Sequence, residues 1–351
     1  MTAAAMNSLE RVQTALAHNE ADRVPLFLPV TVHGALELGL SLKEYYSKGE
    51  NIAQGQLRLR EKYGSDFVYT FAYAAAEQEA FGGEARYFDD GPPNAGEPVI
   101  KTEADIRALV PPAVAECPSL VRVLRATELL KDAVSGDAVV LGVVISPFSL
   151  PVMQMGFDRY LDLVYERPEL LELLLRVNEE FCVSWANAQI DAGANAIGYF
   201  DPVSSPTIIP KELFVKTGLK VAQRSIRRIA GPVASLFASG LSIPLLDEIA
   251  GTGAAIVGVS CNEDLAEAKT ACSGRLTILG NLNGIEMRRW TADQAEAAVK
   301  DAIKRAAPGG GYILSDSHGE IPHQVPAEVL LAISEAVREW GRYPLTWLDN
   351  G

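Results

Sequence analysis

Short apolar runs rich in β-branched residues alternate along this chain with longer stretches whose apolar residues recur at three- and four-residue spacing. That rhythm predicts parallel strands joined by crossover helices. The strand-like runs are Val24–Val30, Phe67–Ala72, Ala138–Ile145, Ala196–Phe200, Val233–Ser239, Ala255–Ser260, Leu276–Gly280 and Gly311–Ser315. The helical stretches include Ser41–Tyr63, Pro168–Asp191, Lys211–Ile229, Ala292–Ala307 and Pro326–Trp340. Several are bounded by Pro in the first turn or by Gly just past the end, as at Gly193 and Gly231. Eight strand runs, most of them apolar throughout and followed by a helix, fit an α/β fold of the closed (β/α)8 TIM-barrel type. An open doubly wound sheet with a cap is the alternative, but it has no reason to stop at eight. From Gly82 to Leu141 the strand pattern lapses and Gly, Pro and acidic residues accumulate (GGEARYFDDGPPNAGEP). Residues 82–137 are therefore expected to form an irregular and helical insertion over the barrel mouth of one domain spanning 1–351.

Length by itself does not choose, since 351 residues suit either two domains of ~150 or one large barrel. Charge excludes more. With 31 Lys and Arg against 45 Asp and Glu, the net charge of −14 leaves no basic surface for a phosphate backbone and argues against nucleic-acid binding. No apolar run approaches the ~18 residues of a membrane-spanning helix. The first residues, MTAAAMNSLERVQTALAHNEADR, lack a basic segment followed by an apolar one, so a cytoplasmic protein is expected. Cys117, Cys182, Cys261 and Cys272 are scattered without a CxxC pair, which fits a reducing compartment.

In a parallel barrel the catalytic groups stand at the C-terminal ends of the strands. Here those ends are polar. His33 follows the first run; Tyr73, Glu77 and Glu79 follow the second; Tyr199 and Asp201 lie in YFDPVSSP. Phe237, Ser239 and Gly240 lie in FASG, Cys261 follows the sixth run, Asn281 and Asn283 the seventh, and Asp316, His318 and Glu320 lie in SDSHGEIPH. Any one of them serves equally well to cap a strand or form a turn; several at one mouth point to chemistry. His318, between Ser317 and Gly319, is the group best matched to exchange a proton near neutral pH. Asp201 follows an apolar run directly, so its carboxylate needs a cation, hydrogen bonds or a proton. An Asx-turn with Ser204 is its structural alternative. Glu77 and Glu79 share a face if extended and diverge if helical.

Fingerprints of other chemistries are missing. GxGxxG, GxxxxGK[ST] and GxSxG do not occur, and Gly309–Gly311 precedes a strand rather than a helix, as a turn does. The spacing of His318 and His323 is neither HxH nor the helical HExxH, so the local pattern writes no zinc site and leaves His318 as the candidate metal ligand.

Seven ordered blocks cover nearly the whole chain: RVQTALAHNEADRVPLFLP, EAFGGEARYFDDGPP, ISPFSLPVMQMGFDRYLDLVYERPELL, NAQIDAGANAIGYFDPVSS, PVASLFASG, LTILGNLNG and GYILSDSHGEIPHQVPAEVL. Together they resemble the uroporphyrinogen decarboxylase superfamily, which also contains the methylcobamide:coenzyme M methyltransferases and the methyltransferases of corrinoid-dependent demethylation. The resemblance implies a (β/α)8 barrel, and the chain's departures place it nearer the methyltransferase branch. The decarboxylases carry an RQAGR-type stretch after the first strand and an SDI-type aspartate after the second. This chain reads LPVTVHGALEL, without arginine, and has Tyr73 at the aspartate position. A tetrapyrrole bearing many carboxylates needs fixed positive charge, so uroporphyrinogen is not the expected substrate. His318 matches the histidine of the decarboxylase LGHG turn, and FASG resembles FAKG.

Zinc-containing methyltransferases of the superfamily carry HxCG after the fifth strand and a cysteine after the eighth, so that zinc lowers a thiol's pKa. Here those positions read Phe237, Ser239 and Asp316 to His318. Any zinc would need another ligand set, such as His318 with Glu77 or Asp201. The resemblance thus implies a corrinoid-dependent methyltransferase. It would move a methyl group between a small donor, such as a methyl ether, and the cobalt of a corrinoid (cobalamin) carried by a partner protein, or from it to a non-thiol acceptor. In that reading His318, Asp201 and Tyr199 are catalytic, and His33, Tyr73, Glu77, Phe237, Ser239, Asn281 and Asp316 contact the substrate. A decarboxylase of another small or aromatic acid and a non-catalytic corrinoid- or tetrapyrrole-binding protein are the alternatives.

Overall fold

The computed structural model describes residues 5–88 and 91–348. Its main sheet has seven parallel strands side by side in chain order: β1 (Phe67–Tyr69), β2 (Val139–Ile145), β3 (Ala196–Phe200), β4 (Val233–Leu236), β5 (Ile256–Gly258), β6 (Thr277–Leu282) and β7 (Tyr312–Asp316). The first apolar run fills the gap between β7 and β1. The Phe27 N–H donates to the Leu314 carbonyl and the Leu314 N–H to the Pro25 carbonyl, both at 2.9 Å, while the Asp66 N–H donates to the Leu26 carbonyl at 2.8 Å. The sheet is thereby closed into a TIM-type barrel. The expectation of a regular strand over Val24–Val30 is corrected: Leu26 makes only an isolated parallel bridge to Leu314. Pro25 and Pro29 have no N–H to donate, and that breaks the ladder.

The principal helices are α1 (Ser8–Leu16), α2 (Gly49–Tyr63), α3 (Pro118–Val134), α4 (Pro168–Asp191), α5 (Gly218–Arg228), α6 (Leu265–Cys272), α7 (Ala292–Ala306) and α8 (Ala327–Trp340). α2 to α7 are crossovers on the outside of the barrel, and α8 follows the last strand and packs beside α7. Residues 82–137 divide in two. The first part is a minimal hairpin pairing Ala85–Arg86 with Asn94–Ala95, then a short helix, Glu103–Ala108; Asp89 and Asp90 lie outside the described residues. The second part is α3, whose Leu120, Val123, Ala126, Leu130 and Val134 are buried against α2 and β2. That segment is the crossover from β1 to β2 and not part of a cover, which corrects the insertion as drawn from the sequence.

Strand alternation sorts the core into two layers. Along β3, Ala196 and Phe200 belong to the core inside the barrel, whereas Ile197 and Tyr199 pack in the outer layer under the helices. At the N-terminal ends of the strands α1 lies across the barrel, started by an Asn7–Glu10 capping box. Asp66, fully buried, accepts from Arg11 at 2.6 Å, from Arg23 at 2.8 Å and from the Leu26 N–H at 2.8 Å. One carboxylate therefore ties α1, the closing segment and the start of β1 together.

Candidate active site

At the C-terminal ends of the strands the turn after β7 reaches across the mouth. Asp316 builds it: Oδ2 accepts the His318 N–H at 2.8 Å and Oδ1 the Gly319 N–H at 3.1 Å. This Asx-type turn presents His318, whose side chain keeps 24 % of its exposure and whose Nδ1 lies 3.4 Å from Asp316 Oδ2. Gly319 has φ +87°, and a Cβ there would come within 3.2 Å of the Phe200 ring, so glycine is needed twice over. Its carbonyl accepts the Tyr69 hydroxyl at 3.2 Å. The Ser317 N–H donates to the Leu282 carbonyl at 3.0 Å, and the Ser317 carbonyl accepts the Ser239 N–H at 2.7 Å. The turn thus touches residues from β1, β3, β6 and the end of β4.

Glu320 continues it. The Thr31 hydroxyl donates to its Oε1. Burial pushes the Glu320 carboxyl from the ordinary 4.5 up to about 7; the Thr31 hydroxyl opposes the shift and the Asp316 charge adds to it. Burial also raises the Tyr46 and Tyr69 phenols, with Glu320 adding to both, so they remain neutral. A carboxyl with a raised pKa and an imidazole thus stand two residues apart on one turn, groups suited to general acid–base work. Tyr69, Phe71 and Phe200 supply an aromatic floor, with the Tyr69 and Phe71 rings 5.8 Å apart and Phe71 and Phe200 only half-buried. Opposite stands Ser239, whose hydroxyl receives that of Ser317 at 3.2 Å and lies 3.3 Å from Cys261 Sγ. Ala238 and Ser239 both hold left-handed φ values, 49° and 62°, a strain that clusters at functional sites.

The other sequence-predicted residues are placed differently. Asp201 is buried in a cage of hydroxyls: Ser146 donates at 2.5 Å, Ser149 at 2.7 Å and Ser204 at 2.6 Å. Burial raises its pKa and the three serines oppose that, so it ties the loops after β2 and β3 together. Both of its oxygens are thus engaged by serine hydroxyls, away from the turn that carries His318. Tyr199 faces the helices, beside Ser225 and Cys182, because the alternation of β3 turns Phe200 inward instead. Phe237, one residue past inward-facing Leu236, is buried in the outer layer for the same reason. Asn281 Nδ2 donates to the Ser260 and Glu263 carbonyls at 2.8 and 3.2 Å and is spent on joining loops. His33 is buried with both ring nitrogens unpartnered; burial, with His323 and Lys62 adding to it, lowers its pKa to about 4, so it is neutral. Tyr73 donates to Glu79 at 2.5 Å and receives Arg122 at 3.3 Å. The helix Ala75–Ala80 makes Glu77 and Glu79 diverge: Glu77 Oε1 accepts the Ile145 N–H at 2.8 Å and burial pushes its pKa up to about 8.

Sequence reading missed Phe200, Tyr69, Phe71, Ser317 and Thr31 as parts of this site, and ranked Glu320 only among strand-end residues. Strand alternation would have found Phe200. The donor set does not fit a zinc ion. Asp316 spends both oxygens on its own turn, Asp201 spends both on serines, and among the described residues no three His, Cys, Asp or Glu side chains converge.

The model of the uroporphyrinogen decarboxylase family matches residues 7–340. The chain is similar to the uroporphyrinogen decarboxylases of Cellvibrio japonicus, 26% identical with 76% of each chain covered, and of Ralstonia pickettii, 27% identical with 80% of each covered. Among solved structures it superimposes on a methyltransferase from Methanosarcina mazei with a TM-score of 0.84 at 21% identity, covering 95% of this chain and 99% of the other. The last likeness establishes the shared fold. Among the described residues no helix is long and apolar enough to cross a membrane.

Proposed function

The chain belongs to the uroporphyrinogen decarboxylase family, and from that premise we propose that it is a methyltransferase. It takes a methyl group from an uncharged small donor, such as a methyl ether, and passes it to a corrinoid carried by a partner protein. The observation that carries this reading is the turn Asp316–Glu320. It brings the Glu320 carboxyl, whose pKa burial raises to about 7, and the His318 imidazole to one mouth with an aromatic floor. Among the described residues, no Arg or Lys side chain hydrogen-bonds to Ser239, Asp316, Ser317, His318 or Glu320. Such a mouth suits an uncharged substrate that needs a proton, and it does not suit a polycarboxylate, which needs fixed cations.

A reduced corrinoid delivered to this mouth would supply the nucleophile for the methyl carbon. As the carbon–oxygen bond breaks, the electron pair stays on the oxygen, and Glu320 or His318 gives that oxygen a proton. Thr31 fixes the Glu320 carboxyl, and Asp316 fixes the turn that presents His318. Tyr69, Phe71 and Phe200 seat the apolar part of the donor and exclude water from it. The residues fit an acceptor delivered from outside. Phe88, Ile208 and Ile285, in loops that follow strand ends, are 47, 38 and 39 % exposed and offer apolar contact to a partner.

The test compares the purified chain on two substrate sets: methoxylated aromatic compounds with a reduced corrinoid protein, and aromatic acids or uroporphyrinogen alone. Release of the free phenol in the first set, with no carbon dioxide from the second, is the expected result. Carbon dioxide release without demethylation would replace the reading with a decarboxylase.

A further inference from the structure

The opposite end of the barrel holds a feature unrelated to the mouth. Under α1 lies a cavity of about 280 Å³, framed by the N-terminal parts of the strands. The void has a cause in the sequence. At this level β3 and β4 contribute only Ala196 and Ala234, where β2 and β5 contribute Leu141 and Ile256. Leu9 and Leu16 of α1 face it. The helix does not settle into the space, because Arg11 on its buried side is held at 2.6 Å by Asp22 and at 2.6 Å by Asp66.

The lining contains no charged group, and its polar side chains are Gln13 and Asn195. Gln13 is exposed, and the Asn195 Oδ1 already accepts the Val140 N–H at 2.9 Å. Polar side chains thus stand only on the Gln13 and Asn195 side, the rest of the wall is apolar, and an apolar cavity of about 150 Å³ is enough to hold benzene. From this we infer that the bottom of the barrel is a second binding site, for an uncharged apolar molecule of about the size of benzene or toluene. α1 is its fixed lid, and the side near exposed Gln13 and Pro232 is the way in.

Fluorobenzene titrated into the full chain and followed by ¹⁹F NMR tests the inference. Saturable binding is expected, with contacts from the ring to the Val12 and Leu16 methyl groups in transfer experiments. Two variants fill the space from opposite sides: Ala234→Leu from the barrel and Leu16→Phe from α1. Each is expected to weaken fluorobenzene binding at least tenfold. Should Ala234→Leu fail to fold, the half-buried position of Leu16 keeps the second variant decisive. Absence of saturable binding up to the solubility of the probe, or affinity unchanged in Leu16→Phe, overturns the site.

Discussion

Replacing Glu320 by Gln separates the chemistry of the mouth from its cost in stability. In the folded chain the carboxyl titrates at about 7 in place of the ordinary 4.5. Below 4.5 both the folded and unfolded chains hold the proton. Between 4.5 and 7 the folded chain keeps a proton that the unfolded chain releases, so stability falls as pH rises through that window, and the loss is complete by about pH 8. At ~1.4 kcal/mol per pH unit the whole displacement corresponds to about 3 kcal/mol. The residue's partial exposure reduces this to roughly 2 kcal/mol. Gln has nearly the same shape, still accepts the Thr31 hydroxyl and never ionises. Glu320→Gln is therefore expected to be about 2 kcal/mol more stable than the parent at pH 8 and equal to it near pH 4.5. Without this proton donor the demethylation rate should fall by about 10²-fold or more, and the decline of kcat/KM above pH 7 should disappear. Urea unfolding at the two pH values, with a pH–rate profile, reads both effects. A variant destabilised equally at both pH values, or one that keeps the parent's alkaline decline, would refute the reasoning.

Three further substitutions probe the rest of the account. His318→Ala should lower the demethylation rate by about 10²-fold, with little change in melting temperature because the ring's contacts with Ser317 and Asp316 are both 3.4 Å long. Steady-state rates and thermal melts check both. Tyr199→Phe should keep the rate within about twofold, since the hydroxyl faces the helices and not the mouth; a loss as large as that of His318→Ala would return Tyr199 to the site. Asp66→Ala should cost about 3–5 kcal/mol in urea unfolding, because it leaves Arg11 and Arg23, largely buried, without their shared partner. A cost under about 1 kcal/mol would mean that the clasp is screened like a surface ion pair.

Much of the barrel could be read from local pattern. β3 runs from Ala196 to Phe200 and α4 from Pro168 to Asp191, both where the apolar run and the flanking Pro and Gly signals put them. Val24–Val30 misled because its composition is that of a strand while its two prolines remove the ladder's donors. The same limit governs the site. Asp316, His318 and Glu320 are close in sequence, so their turn was legible. The choice between Tyr199 and Phe200 depends on the phase of a run, AIGYF, that is apolar on both faces, and hydrophobicity alone carries no phase there. Thr31 meets Glu320 across 289 positions, a contact that only the closure of the barrel creates.

The most direct measurement follows an isotope. A methoxylated aromatic compound labelled with ¹³C in its methyl group is incubated with the chain and a reduced corrinoid protein, and both products are quantified by NMR. The account predicts label on the corrinoid and free phenol in equal amounts, with both lost together in Glu320→Gln and His318→Ala. Transfer undiminished in both variants, or no transfer across the panel while an aromatic acid loses carbon dioxide, would contradict it.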